Sequence, residues 1–80
     1  MPRTLDQELY KFIVDRTTSV RYNNSAYDLP TWDNLKAKGR RLGYSNKVVV
    51  ASLMSLQQRG AIARTFNPKR RRYEFTALRV

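Results

Sequence analysis

The stretch Leu42-Gly43-Tyr44-Ser45 limits what this chain can become more than any other. Before it, Trp32, Leu35, Gly39 and Leu42 share one helical face; after it, Val49, Leu53, Leu56 and Gly60 recur at i, i+4, i+7 and i+11. Two amphipathic helices are expected, at about 32–42 and 46–59, separated by a tight turn. Gly43 can take the positive φ such a turn needs, and Ser45 is a good N-cap for the second helix. A residue without bulk at position 39 would let the two helices cross closely.

The flanks complete a compact plan. Thr4 with Gln7 three residues on reads as a capping box, and Leu5, Leu9, Phe12 and Ile13 follow as one apolar stripe, so a first helix is expected at about 5–16. Thr17 to Leu29 loses the helical period, and Val20, Tyr22 and Tyr27 are candidates for a short strand. Pro30 holds Leu29 extended and Thr31 is placed to cap the second helix. Past Gly60 the pattern changes to short strands, Ile62–Phe66 and Arg72–Leu78, around the turn Asn67-Pro68-Lys69-Arg70. The expected fold class is α+β: a single domain over residues 1–80, with three helices followed by a β-hairpin at about 61–78.

Composition removes several functions. The 80 residues include no cysteine and no histidine, so there is no disulfide, no thiolate metal site and no imidazole base. The carboxylates are few and scattered, serines 45, 52 and 55 have no base, and no glycine-rich phosphate loop exists, so no enzyme and no cofactor is expected. No apolar run approaches the ~20 residues needed to span a bilayer, and Met1-Pro2-Arg3-Thr4 leads into an amphipathic pattern, so a cytoplasmic protein is expected.

Charge is segregated. Residues 1–33 carry four basic side chains against five acids, net −1; residues 34–80 carry twelve against one, net +11. Solubility alone would not require the signs to separate; contact with a polyanion would.

Between Gly39 and Ile62 the residues form a known pattern. Gly39-Arg40-Arg41-Leu42-Gly43-Tyr44-Ser45-Asn46-Lys47-Val48-Val49, then Leu53, Leu56, Arg59-Gly60 and Ile62, resembles the helix-turn-helix of winged-helix regulators of the MarR-like and GntR-like kind. Tyr73-Glu74-Phe75-Thr76 is similar to the last strand of their wing. Two positions depart from the pattern: Lys38 stands where an apolar residue is usual, and Gly39 replaces alanine, at about 1 kcal/mol of helix propensity.

The resemblance implies a winged helix-turn-helix that binds double-stranded DNA with its third helix in the major groove and its wing on the minor groove or backbone. Setting Val49 inward turns Lys47, Ala51, Met54 and Gln58 outward, with Val50 at an edge. Asn46 can pair with adenine and Lys47 with guanine, while Ser45 caps the helix whose N-terminus meets the groove. Val50, Ala51 and Met54 suit thymine methyls, although Val50 and Met54 suit a protein interface equally well. Arg40 and Arg41 are candidate phosphate clamps. Lys69, Arg70, Arg71 and Arg72 form the wing's basic tip, against the bland alternative of a solvated charge run. Trp32, Phe12, Phe66, Tyr73 and Phe75 read as packing residues, which argues against a single-strand binder.

A transcriptional regulator or an accessory factor in replication, partition or recombination is expected, with a homodimer on DNA allowed and no membrane or small-molecule effector. The alternatives are a protein-docking module and a basic RNA- or ribosome-associated protein.

Overall fold

The computed structural model describes residues 4–23 and 29–78. Three helices, α1 (Leu5–Asn23), α2 (Trp32–Arg41) and α3 (Asn46–Gln58), precede two antiparallel strands, β1 (Ile62–Asn67) and β2 (Arg72–Ala77). This is the α+β layout of a winged helix, with the hairpin as the wing. Among the described residues, no helix is long and apolar enough to cross a membrane.

Helix α1 begins on a reciprocal cap: the Gln7 amide donates to Thr4 Oγ1 and the Thr4 amide to Gln7 Oε1. Its stripe of Leu5, Leu9 and Ile13 is buried, with Phe12 packed alongside. It does not stop near residue 16 but runs to Asn23, so Val20 and Tyr22 are helical and not strand; Tyr27 lies outside the described residues. Where the apolar period breaks, the buried position one turn beyond Ile13 on the same face is filled by Thr17. Its hydroxyl donates to the Ile13 carbonyl at 2.7 Å and accepts the Ala77 amide at 3.0 Å. A threonine fully satisfied in this way continues the buried stripe, where an apolar count sees it end.

Helix α2 also starts on a reciprocal cap, between Thr31 and Asn34. It ends at Arg41, one residue earlier than the periodicity indicates, because Leu42 is the C-cap and is 39% exposed rather than part of the core stripe. Gly43 follows at φ 91°, and the Gly43 and Tyr44 amides return to the Arg40 and Gly39 carbonyls at 3.0 and 2.9 Å. Helix α3 closes in the same manner. Arg59 is its C-cap, Gly60 has φ 75°, and the Gly60 and Ala61 amides return to the carbonyls of Gln57 and Leu56. In both places a left-handed glycine satisfies carbonyls that the helix end would leave open.

The wing pairs Ile62 with Ala77 at its base and Asn67 with Arg72 at its tip. Its β2 edge is partly covered, since the Phe75 amide donates to the Pro30 carbonyl at 2.9 Å. The segment entering α2 thus meets that edge through one backbone hydrogen bond. Leu9, Ile13, Leu35, Val49, Leu53, Ile62 and Phe75 form the centre of one core, and Trp32 meets Phe75 edge-on with ring centroids 4.9 Å apart.

Candidate nucleic-acid interface

The inward and outward sides of α3 are sharply divided. Val49, Leu53 and Leu56 are buried; Asn46, Lys47, Ala51, Met54 and Gln58 are exposed, and Val50 is half-buried at the edge. Ser45, the N-cap, accepts the Val48 amide on its hydroxyl oxygen and remains on the surface. The first turn of α3 therefore presents a neutral amide and an ammonium group to solvent.

Arg40 and Arg41 are exposed in the last turn of α2, where cations also favour the negative end of the helix dipole. Arg59, by contrast, is tied to α1: its guanidinium donates to Asp6 Oδ2, while the Ser52 hydroxyl donates to Asp6 Oδ1. It links α1 to the end of α3 at the surface.

At the wing tip the Asn67 side chain builds the turn by accepting the Lys69 and Arg70 amides at 3.0 and 3.4 Å. Lys69, Arg70 and Arg71 are all exposed. Arg71 sits at φ 54°, in the left-handed region, where among the described residues only glycines otherwise occur. Arg72 has a different setting. Its Nε and Nη2 donate to Glu74 Oε2 at 3.2 and 3.1 Å, and the Asn67 amide group donates to Glu74 Oε1 at 3.1 Å. Glu74, only 7% exposed, thereby locks both ends of the tip together and offsets one of the four cations.

Two aromatic expectations are corrected. Phe75 is buried and Trp32 packs on it, but Phe66 is 52% and Tyr73 45% exposed. The two rings lean on each other edge-to-face at 5.2 Å. They belong to the same hairpin face as Ile62, Ala77 and Phe75, but stand two rungs nearer the tip than Phe75 and four nearer than Ile62 and Ala77, beyond the reach of the core. Arg64, which the sequence patterns did not single out, lies on this face too. Its guanidinium is 4.8 Å from the Tyr73 ring centroid and 5.7 Å from that of Trp32. Counting rungs outward from the turn would have placed Phe66 and Tyr73 outside the core.

Comparison with protein-family models, curated proteins and solved structures found no match to this chain.

Proposed function

We propose that the chain is a double-stranded DNA-binding protein that sets the outward face of α3 into the major groove and the wing tip on the neighbouring minor groove or backbone. The observation carrying this reading is the backbone of Arg71. A left-handed conformation disfavours a side-chain-bearing residue by about 1–2 kcal/mol, and glycine would adopt it freely. A guanidinium kept there, next to the exposed Lys69 and Arg70, is consistent with selection for its charge at that point.

Further support comes from the division of labour among the basic residues. Arg59, although exposed, is ion-paired to Asp6 on α1 and Arg72 to Glu74, whereas Arg40, Arg41, Lys47, Lys69 and Arg71 present their charge on the surface. Exposed cations position a protein on phosphates, and Asn46 and Lys47 offer the donors that read adenine and guanine. Val50, Ala51 and Met54 add methyl contacts but no hydrogen bonds, so modest base specificity with reliance on DNA shape follows. A regulator or a replication, partition or recombination accessory factor fits these properties.

A second reading has one observation in its favour. Of the two residues named for a protein interface, Met54 is 47% exposed on α3 while Val50 is half-buried; Val48, 46% exposed, adds apolar surface to the same helix, and such side chains also suit a protein partner. Charge reversal of Arg70 and Arg71 separates the two: DNA binding collapses under the first reading, and partner binding through α3 survives under the second.

The test of the main reading is a salt titration of binding to duplex DNA, with duplex RNA of the same sequence as competitor. Neutralising about five to eight phosphates makes log affinity fall by ~0.9 per phosphate for each unit of log salt. A flat response, or equal competition by RNA, whose deep narrow major groove excludes side chains, would refute it.

A further inference from the structure

The exposed aromatic pair on the wing is not explained by groove binding. A β-hairpin gripping a duplex needs cations at its tip, and this one has them in Lys69, Arg70 and Arg71. It does not need two rings on the ladder rungs behind them, half open to water. Cross-strand aromatic pairs do stabilise hairpins, by about 0.2–1 kcal/mol. That accounts for the contact between Phe66 and Tyr73, not for the area they leave uncovered.

The surroundings restrict what covers those rings. Arg64 stands against Tyr73 and between it and Trp32, so a fixed cation adjoins the aromatic surface. A cleft of ≈ 290 Å³ next to Tyr73 is bordered by Thr31, Trp32, Asp33 and Arg72. The ligand is therefore flat and apolar in one part and anionic in another. A nucleobase with its own phosphate has that combination, and every base offers a π-face. Asp33 in the cleft repels phosphate but accepts hydrogen bonds from base amino groups, which keeps the base on the ring side and the phosphate by Arg64 and the tip. A base paired within a duplex cannot present its face. The rings also lie behind the leading end of the hairpin rather than at it, which disfavours their use as a wedge driven between stacked pairs.

Building on the DNA reading above, we infer that Phe66 and Tyr73 stack an unpaired base, so that the preferred target is duplex DNA with an adjoining unpaired nucleotide, as at a fork or frayed end. The tip holds the duplex and the aromatic rungs hold the displaced strand.

The experiment compares four DNAs of one sequence: blunt duplex, duplex with a forked end, duplex with a frayed single overhang, and single strand. Base–aromatic stacking is worth about 5- to 150-fold in affinity per base. The forked and frayed forms should bind tighter than the blunt duplex by that factor. Phe66→Thr, which keeps a strand-forming residue, should erase the preference while leaving blunt-duplex affinity within about twofold. Phe66→Trp should keep or increase the preference, which guards against a hairpin damaged by loss of the ring. With 5-iodouracil at the unpaired position, photocrosslinks should map to Phe66 or Tyr73. Equal affinity for blunt and forked DNA overturns this inference and leaves the DNA reading standing; no binding to any of the four removes the DNA reading itself. If Phe66→Thr instead converts a self-associated chain to a monomer, the rings cover a second copy and the inference is wrong.

Discussion

Gly39 and Val49 touch more closely than any side chain at position 39 would permit: a methyl group built on Gly39 would lie 2.1 Å from Val49 Cγ2. Both residues are buried, and their contact is where α2 and α3 cross. By helix propensity alone, alanine at 39 gains about 1 kcal/mol. Overpacking of this degree costs about 1–3 kcal/mol, because Val49 must leave its place in a filled core. Gly39→Ala is therefore expected to lower the urea midpoint. Its effect should shrink in a Val49→Ala background, the mark of two residues in direct contact.

Thr17 makes a second joint, between α1 and the last rung of the wing. Thr17→Val keeps the shape of the side chain and leaves the Ala77 amide without its acceptor. A loss of about 1–3 kcal/mol in thermal or chemical unfolding is expected, with faster hydrogen exchange at Ala77. Thr17→Ser should recover most of it.

Arg71→Gly separates folding from binding. Relief of the left-handed conformation should leave stability unchanged or raise it by up to about 1 kcal/mol. Affinity for duplex DNA should fall, and the salt dependence should become shallower by about 0.9. Both readings come from one protein preparation, by thermal unfolding and fluorescence anisotropy. A loss of stability would remove the strain from the case for Arg71.

Glu74→Gln is expected to have opposite effects on the same two measurements. The variant loses the charge-assisted bonds from Arg72, at about 1–3 kcal/mol. It also removes the acid under the tip, so duplex binding tightens and its salt dependence steepens. Weaker binding would show that the Glu74 lock matters to DNA through tip geometry rather than charge.

Most of the helical plan is legible in the sequence because it rests on local rules. The caps at Thr4, Thr31 and Ser45, the left-handed glycines 43 and 60, and the outward row Lys47, Ala51, Met54 and Gln58 follow from spacing alone. What escaped depends on residues far apart in the chain. Thr17 can be buried on the inner face of α1 because Ala77, sixty residues away, supplies a donor to its hydroxyl. Arg72 reads as one of four equal cations until Glu74 is seen beneath it. Phe66 and Tyr73 alternate correctly for a core face, but alternation says which side of a strand a residue occupies, not whether another element covers it.

The central claim is that the first turn of α3 and the wing tip grip one duplex in one event. An amide-resolved NMR titration with a short duplex tests it most directly. Shifts at Asn46, Lys47 and Ala51 are expected to move together with those at Lys69, Arg70 and Arg71, along a single binding curve, while the exposed face of α1 around Lys11 and Asp15 stays still. Shifts confined to one of the two groups, or appearing chiefly on α1, would contradict the account.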